Sequence, residues 1–335
     1  MSMAGIDKVA VIGSNSFSGA SFVSALLERG VEVVGMSRSH EPHRAFLPYR
    51  WGGKDSGFRF YAYDLNHHLA EIMHLIRGER IAHVVNFAAQ SMVGESWKNP
   101  DHWFMTNVVS TVRLHEQLRQ CDFLNRYVHV TTPEVYGSTD GGFIREDQRF
   151  NPSTPYAVSR AAGDMSLKSY FDAYEFPVVF TRAANVYGPG QQLYRIIPRT
   201  ILFIRLGKKL KLHGGGVSRR AFIHMKDVSS ATFDIMERAP LGETYHISTN
   251  EIVSIRELVE RICAKLGVRL EDVAEVDAER LGKDAAYMLD STKLREQLGW
   301  RDEVTLDQGL DECIAWVDEH LDALKTLPFD YQHKP

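Results

Sequence analysis

The stretch KVAVIGSNSFSG, residues 8–19, decides how the first part of this chain folds. Its first six residues are mostly apolar and stop at a glycine, which is typical of a short buried strand. The residues that follow, through SALLERG, have the apolar spacing of a helix that ends at Gly30. Gly13 and Gly19 frame the turn between them, where backbone N–H groups and the positive end of a helix attract a pyrophosphate. The stretch predicts a strand, a phosphate-binding turn and a helix.

The residues between the two glycines are expected to line this turn. Ser16 stands where a strict dinucleotide fingerprint has glycine, and its Cβ limits close approach of a ligand. We expect its hydroxyl to donate to a phosphate instead. The turn taken alone also fits an ordinary connection between a strand and a helix. The expected cofactor contacts here are Gly13, Asn15, Ser16, Phe17, Ser18 and Gly19.

Further strand-like runs alternate with helical stretches along the first half of the chain. This alternation predicts an α/β protein with a Rossmann-type, doubly wound parallel sheet and a smaller C-terminal α/β lobe. We assign residues 1–186 with 221–248 to the nucleotide-binding domain, and residues 187–220 with 249–335 to the substrate lobe. The runs are VEVVGMS (31–37), RFYAYDL (59–65), IAHVVNFAA (81–89), RYVHVTT (126–132) and FPVVFTRAANVYG (176–188).

Composition excludes several classes of function. The 335 residues carry a net charge of -4 with no basic stripe, so we expect no nucleic-acid partner. Cys121, Cys263 and Cys313 lack metal-ligand spacing, which predicts reduced thiols, no metal and a cytoplasmic location. No apolar run approaches the roughly 20 residues that cross a bilayer, and no signal peptide is recognisable, so we expect no membrane partner.

The end of the second strand decides the choice of cofactor. NAD-binding sheets place an acidic residue there for the ribose 2′-hydroxyl, whereas an arginine suits a 2′-phosphate. Ser37 and Arg38 occupy this place, so we expect NADP rather than NAD, with Arg38 as a solvated surface charge the alternative. The ends of the third and fourth strands are expected to contact the cofactor through Asp64, Leu65, Phe87, Ala88 and Ala89.

Two motifs point to chemistry. In YAVSR (156–160), Tyr156 and Arg160 lie four residues apart at the start of a helix and therefore on one face. A positive charge there lowers the pKa of a phenol from about 10, which suits a base near neutral pH. In TTPEVYG (131–137), Glu134 follows a buried strand, where it is either a helix cap or a reacting carboxylate. Each motif alone is also compatible with an ordinary surface.

Together, the motifs resemble the extended short-chain dehydrogenase/reductase family. The glycine turn, NFAA, TTPEVYG, PYAVSR, RAANVYGPGQ and RRAFIHMKDV occur in the order that this family shows. Glu134 makes the chain most similar to the nucleotide-sugar 4,6-dehydratases of the dTDP-glucose and GDP-mannose types. The resemblance implies a hydro-lyase for deoxysugar or surface-polysaccharide synthesis, a nucleotide-sugar substrate and a homodimer built on two helices of each subunit.

The resemblance also implies roles for the catalytic residues. Tyr156, aided by Thr132 and Arg160, would remove the C4 hydroxyl proton while the C4 hydride passes to the nicotinamide. The ketone makes the C5 proton acidic, Glu134 would remove it, and water would leave from C6 before the hydride returns there. Simple 4-epimerisation needs no such carboxylate. The nucleotide sugar would contact Ser91, Asn185, Arg195, His213 and Arg220.

Three positions depart from the family pattern. Arg160 replaces the usual lysine; it keeps the charge and can fork to ribose hydroxyls, but cannot relay a proton. Pro133 replaces the aspartate that protonates the leaving hydroxyl in dTDP-glucose dehydratases, so that proton must come from Glu134 or through water. Ala285 replaces an arginine that contacts phosphate. The alternatives are a 4-epimerase or a UDP-glucuronate decarboxylase, and a non-catalytic NADP-binding protein.

Overall fold

A computed structural model describes residues 5–53, 55–138, 142–277 and 288–335, and Ala285 lies outside them. The strands of these residues are β1 (Lys8–Ile12), β2 (Glu32–Met36), β3 (Phe58–Tyr61), β4 (His83–Asn86), β5 (Arg126–Val130), β6 (Phe143–Ile144), β7 (Val178–Ala183), β8 (Asn185–Tyr187), β9 (Leu210–His213), β10 (Arg219–His224), β11 (Thr244–Ile247), β12 (Ile252–Ser254), β13 (Ala274–Asp277) and β14 (Met288–Leu289).

The helices of the same residues are α1 (Phe17–Glu28), α2 (Leu69–Gly78), α3 (Pro100–Phe104), α4 (Thr111–Leu118), α5 (Pro155–Tyr174), α6 (Ile196–Arg205), α7 (Met225–Arg238), α8 (Ile255–Leu266), α9 (Leu270–Val273), α10 (Thr292–Leu298) and α11 (Leu306–Leu324). A π-helical turn, Met105–Ser110, joins α3 to α4. Among these helices, none combines the length and the apolar character that crossing a membrane requires.

The central sheet has seven strands in the order β11-β7-β5-β4-β1-β2-β3, and all of its pairs are parallel. The strand order reverses between β1 and β4, because the chain builds outward from β1 to β3 on one side and from β4 to β11 on the other. Crevices for ligands form at such a reversal, outside the carboxyl ends of the strands. The doubly wound sheet expected from the sequence is confirmed.

Alternate residues of each central strand enter two different cores. Val9 and Val11 of β1 pack with α1 and α7 on one face of the sheet. Ala10 and Ile12 pack on the other face with α2, α4 and α5. Both faces are covered, which explains why the strands read as nearly continuous apolar runs. Burial of each such aliphatic side chain contributes about 1.5–3 kcal/mol relative to exposure.

The run FPVVFTRAANVYG is split, contrary to the single strand expected from the sequence. β7 pairs with β5 and β11 in the central sheet, whereas β8 pairs with β10 in a separate three-stranded sheet that also contains β12. The chain therefore passes from one sheet to another at Ala184. Apolar residues are required on both sides of this crossing, so the sequence pattern hides it. A third core, containing residues of α6, α8 and α11, lies around Tyr187.

Helix α5 begins at a point fixed by local chemistry. The side chain of Thr154 accepts a hydrogen bond from Ala157 N and Pro155 occupies the first helical position, which is a favourable start for a helix. The helix ends at Glu175, which has the left-handed conformation at φ 54°. This start places Tyr156 in the first turn, facing the carboxyl end of the sheet.

Candidate active site

The turn after β1 has the geometry of a phosphate-binding turn. Gly13 has φ +84°, and a Cβ there would lie 2.7 Å from Ala88 N, so only glycine fits. A Cβ at Gly19 would collide with the carbonyl oxygen of Gly13. The N–H groups of Phe17 and Ser18 lie in the first turn of α1, where a helix supplies no acceptor. This donor set fits the pyrophosphate of a dinucleotide.

Ser16 holds the turn together. Its hydroxyl donates to Gly13 O at 2.7 Å and accepts from Gly19 N at 3.1 Å, which makes it the N-cap of α1. Donation by this hydroxyl to a phosphate stays a prediction, because it requires the hydroxyl hydrogen to turn away from Gly13 O. Asn15 ties the turn to the end of β2: its backbone N–H donates to Ser37 Oγ and its amide to Ser39 O.

Arg38 lies at the end of β2 with an exposed side chain. Its Nη1 donates to two backbone oxygens, Lys334 O at 3.0 Å and Pro335 O at 2.6 Å. Gln90, four residues beyond β4, donates to the same Lys334 O at 2.8 Å. Residues 329–335, which we call the strap, therefore reach the carboxyl edge of the sheet at both β2 and β4.

The remaining expected cofactor contacts lie along the same edge. Asp64 follows β3, and its carboxylate accepts the N–H of Asn66 in the turn before α2, while Leu65 is buried. The three residues that follow β4 are half-buried at the β1–β4 reversal: Phe87, Ala88 and Ala89.

Glu134 is carried by a short turn that begins where β5 ends. Pro133–Tyr136 forms a 3-10 helix capped by Thr132, whose hydroxyl accepts from Glu134 N at 3.4 Å. Glu134 is half-buried and Thr132 is buried. The charge of Glu134 acts on Tyr156, whose pKa it raises, and Thr132 is a hydrogen-bond partner of Tyr156. The three residues therefore form one cluster, at the carboxyl end of β5 and the first turn of α5.

The pKa of Tyr156 shifts opposite to the expected direction. Its pKa is raised to about 12; burial, with the side chain 7% exposed, is the main cause, and the charge of Glu134 is the second. The guanidinium groups of Arg160 and Arg195 and the hydroxyl of Thr132 act to lower it. The expectation of a net lowering is wrong, because the cost of burying a phenolate exceeds the effect of these groups.

Arg160 is 3% exposed and lies one turn along α5 from Tyr156. Its Nη2 donates to Val130 O at the end of β5, so one arm of the fork expected for the ribose hydroxyls is used by the protein. Its Nε has no hydrogen-bond partner among the described residues. Arg160 thus joins α5 to β5 and supplies positive charge beneath the phenol.

The expected substrate residues are divided between the two lobes. Arg195, at the start of α6, is the one among them whose charge lowers the pKa of Tyr156, so it faces the same cluster. Asn185 begins β8 and is the register partner of Phe222, two residues beyond Arg220 in β10. His213 ends β9, with Nδ1 3.9 Å from a carboxylate oxygen of Asp277. Ser91 is exposed just after Gln90.

Gln90 and Asn107 were missed by the sequence reasoning. Both are buried; Asn107 Oδ1 accepts from Gln90 N, and its amide donates to Gln90 O and to Ser159 Oγ of α5. This bridge joins the end of β4 to the helix that carries Tyr156. Gln90 directly follows the run IAHVVNFAA and could have been chosen, whereas nothing in the sequence around Asn107 indicates its role.

The sheet order, the glycine turn and the buried tyrosine at the start of α5 define a dinucleotide-binding protein of the short-chain dehydrogenase/reductase class. The family described as GDP-mannose 4,6 dehydratase matches residues 11–313, and the chain belongs to that family. The family recognised from the motifs is thereby confirmed.

Individual relatives agree with this assignment. The dTDP-glucose 4,6-dehydratase of Xanthomonas campestris pv. campestris is 30% identical over 326 residues, covering 91% of this chain and 92% of that protein. A trifunctional UDP-glucose 4,6-dehydratase, epimerase and reductase of Arabidopsis thaliana is 31% identical over 74% of this chain, which spans 38% of its length. The solved dTDP-glucose 4,6-dehydratase DesIV of Streptomyces venezuelae, with NAD bound, is similar with a TM-score of 0.88 and 29% identity, covering 95% and 99% of the two chains.

Proposed function

We propose that this protein is an NAD(P)-dependent nucleotide-sugar 4,6-dehydratase, a hydro-lyase. The observation that carries the proposal is the cluster of Thr132, Glu134 and Tyr156, in which a carboxylate lies close enough to a buried phenol to raise its pKa. A base for a hydroxyl proton and a second base for a carbon acid are the two groups that this elimination requires. Membership of the family and the similar dehydratases support the same class.

A bound nicotinamide would accept hydride from C4 and return it to C6. The chain would hold the dinucleotide through the glycine turn and the ends of β2, β3 and β4. Tyr156, hydrogen-bonded to Thr132, takes the C4 hydroxyl proton, and the positive charges of Arg160 and Arg195 stabilise the phenolate that must form first.

Glu134 acts once C4 is a ketone. It removes the acidified C5 proton, the C6–O bond breaks, and Glu134 returns the proton to the departing hydroxide, directly or through water, so that one water is lost. Pro133 is buried and has no proton to give, which leaves both transfers to Glu134. A proton from solvent then bonds to C5 as C6 receives hydride, and it balances the C4 hydroxyl proton that Tyr156 took up and releases.

We propose NADP as the preferred cofactor, with NAD the alternative. Ser37 and Arg38 follow β2, and a guanidinium there suits a 2′-phosphate. The change Arg38→Ala should weaken NADP binding by about tenfold or more and leave NAD binding nearly unchanged. Arg29→Ala, an exposed arginine after α1, is the control. Equal small effects of Arg38→Ala on both cofactors would contradict the preference.

The activity is tested by incubating the protein with nucleotide sugars carrying dTDP, GDP, CDP or UDP in heavy water. A 4,6-dehydratase gives a product lighter by one water with deuterium at C5. A 4-epimerase changes no mass, a decarboxylase loses carbon dioxide, and a non-catalytic binding protein changes nothing. Any of these last three results would overturn the proposal, and the nucleotide that reacts identifies the substrate.

We propose that the protein is a cytoplasmic homodimer. α3 and the π-helical turn pack beside α5, and together they carry exposed apolar side chains: Phe104, Met105, Val158 and Met165. Val158 and Met165 are seven residues apart and therefore share a face of α5. Such a face is favourable for pairing with its copy. The three cysteines are buried free thiols, which fits a reducing compartment.

A further inference from the structure

A buried ionic network joins the two reacting groups of the proposed site. Asp164 lies two turns beyond Tyr156 on α5 and is 3% exposed. It accepts from Arg182 Nη2 of β7 at 2.8 Å and from Thr131 Oγ1 at 2.9 Å. Burial acts to raise the pKa of Asp164, but the hydrogen bond to His129 and the charge of Arg182 lower it to about 2. The carboxylate is therefore ionised.

The second arm of the same guanidinium reaches the turn that carries Glu134. Arg182 Nη1 donates to the hydroxyl of Tyr136, the last residue of the 3-10 helix Pro133–Tyr136. The hydroxyl is also 2.7 Å from His246 Nε2, and burial lowers the pKa of that imidazole to about 3, so the ring is neutral. Its Nδ1 lies 3.2 Å from Ile144 O and donates to it, so Nε2 accepts from Tyr136. Arg182 thus spans a carboxylate on the helix of Tyr156 and a phenol on the turn of Glu134.

We propose that Arg182 and Tyr136 are positioning residues that set the distance between Glu134 and Tyr156. The inference rests on the proposed dehydratase function and deepens it. C4 oxidation needs Tyr156 but not Glu134, whereas water loss needs Glu134 aligned with a sugar that Tyr156 already holds. A small displacement of the turn therefore slows elimination selectively, since misplacement by about 1 Å can cost about 100-fold in rate.

Tyr136→Phe removes the hydroxyl and keeps the ring, and Tyr245→Phe is a matched control. Tyr245 is equally buried, and its hydroxyl donates to Gln297 Oε1 of α10 at 2.8 Å. In single turnovers we expect Tyr136→Phe to slow water loss about tenfold or more while C4 oxidation, followed as reduced nicotinamide, stays within about twofold. Tyr245→Phe should slow neither step selectively. Arg182→Lys, which keeps one cation beside Asp164, is the second variant should Tyr136→Phe fail to fold.

Equal slowing of both steps, or an unchanged ratio of the two, would overturn this inference while leaving the dehydratase assignment in place. A wild-type protein that loses no water from any of the nucleotide sugars would instead overturn the proposed function, and the inference with it. Melting curves of the variants separate loss of fold from loss of alignment.

A second, independent observation concerns the strap, Phe329–Pro335, which crosses from the substrate lobe to the cofactor crevice. Its first part is held by Arg199, which donates to Phe329 O at 3.0 Å and pairs with Asp330 at 2.9 Å. Tyr331 packs edge-on against Tyr194 with ring centroids 5.4 Å apart. The strap therefore begins against α6 and the residues that immediately precede this helix, among which is Arg195.

The second half of the strap lies on the nucleotide-binding side. His333 stacks on Trp103 with centroids 5.2 Å apart, and its Nε2 is 2.8 Å from His102 Nδ1. Lys334 O then accepts hydrogen bonds from the side chains of both Gln90 and Arg38. β4 and β2 flank β1 in the sheet, so the strap is bonded on both sides of the strand that leads into the glycine turn.

We infer that the strap competes with the adenosine end of the cofactor for Arg38, so that its release limits cofactor binding. The backbone oxygens of Lys334 and Pro335 use Nη1 of Arg38, a donor that a 2′-phosphate would also need. If the strap is released in only a fraction of the molecules, the apparent affinity for the cofactor falls to that fraction of the intrinsic affinity.

The probe for this competition is adenosine 2′,5′-bisphosphate, with NADP as the second ligand. His333→Ala removes the stacking that holds the strap on α3, and Gln332→Ala, an exposed neighbour, is the control. We expect His333→Ala to tighten binding of both ligands, by about tenfold if the closed strap holds about nine-tenths of the molecules. Gln332→Ala should leave binding unchanged.

The NMR signals of the His333 ring, which stacks on Trp103, give a readout that does not depend on activity. Competition predicts that these signals shift when NADP is added, because the strap is displaced. Unmoved signals, or unchanged or weaker binding by His333→Ala, would overturn the inference. The inference rests on the proposed preference for NADP, so no binding of the bisphosphate by any variant would instead overturn that preference.

Discussion

At the scale of single residues, the chemistry of this protein depends on opposing influences on one phenol. Burial raises the pKa of Tyr156 and Glu134 adds to the effect, while two guanidinium groups and Thr132 oppose both. Tyr156 is therefore a stronger base, once deprotonated, than a solvent-exposed tyrosine would be. In the proposed mechanism Glu134 therefore has two roles: it raises the pKa of the first base, Tyr156, and it is itself the second base.

Glu134→Gln should separate these two effects. The wild-type carboxylate raises the pKa of Tyr156, so its removal lowers that pKa, and the C4 oxidation rate should begin its rise with pH at a lower pH. Water loss should fall by about 100-fold or more, because the amide cannot take the C5 proton. Single-turnover rates from pH 6 to 10 measure both. The control is Glu243→Gln, whose carboxylate pairs with Lys293 beside β11; an unmoved pH profile in Glu134→Gln would refute the coupling.

At the scale of elements, helix α5 carries most of the buried ionisable residues of the site. It presents Tyr156, Arg160 and Asp164 on one buried face, one turn apart. Its start is fixed by Thr154 and Pro155, so the position of Tyr156 follows from local sequence. Its far end is less favourable, since Glu175 adopts the left-handed conformation that suits glycine.

Glu175→Gly should therefore stabilise the protein. Relief of the positive φ is expected to raise the free energy of unfolding by about 0.5–1 kcal/mol, with no change in activity, because the residue is exposed and at the opposite end of α5 from Tyr156. Urea unfolding measures the change. Glu175→Ala serves as the control and should give no gain; a loss of stability in the glycine variant would show that the helix end is not strained.

At the scale of the whole molecule, the core holds several histidines in the neutral form. Burial lowers the pKa of His115 and His246 to about 3 and that of His224 to about 4. Burial also lowers the pKa of His129. These imidazoles lie in different parts of the structure, so their protonation acts on the stability of the fold as a whole.

Acid should therefore destabilise the protein well above the range where carboxylates titrate. Each folded-state pKa lies below the ordinary value of 6.5, so the unfolded chain binds more protons between pH 6.5 and about 4, and stability falls as pH falls through that window. The cost is up to about 1.4 kcal/mol per histidine and pH unit. Urea midpoints at pH 7.5 and 5 measure it. His115→Phe should reduce the difference between the two pH values, and an unchanged difference would contradict the assignment.

The proposed homodimer gives a further prediction at this scale. Met165 is 63% exposed on the apolar face of α5, and a charge there would be buried against its copy on association. Met165→Glu should shift the protein to a monomer, as measured by sedimentation. Val276→Glu, an equally exposed apolar position on β13, should leave the assembly unchanged. A wild-type monomer, or an intact dimer in Met165→Glu, would refute this interface.

The sequence by itself determined the features whose physical cause is local. The glycine turn, the central strands with their nearly continuous apolar runs, and the capped start of α5 each follow from neighbouring residues. The order of these motifs was enough to recognise the family, and the nature of Glu134 was enough to distinguish elimination from epimerisation as a hypothesis.

Only the tertiary structure decided what depends on distant parts of the chain. The direction of the pKa shift of Tyr156 follows from burial, which no spacing of residues reveals. The division of residues 178–187 between two sheets, the bond from Arg182 to Tyr136, and the strap's reach to Arg38 join positions far apart in sequence. The spacing of apolar residues in the sequence indicates the type of each element, but desolvation and long-range hydrogen bonds exist only once the elements have packed.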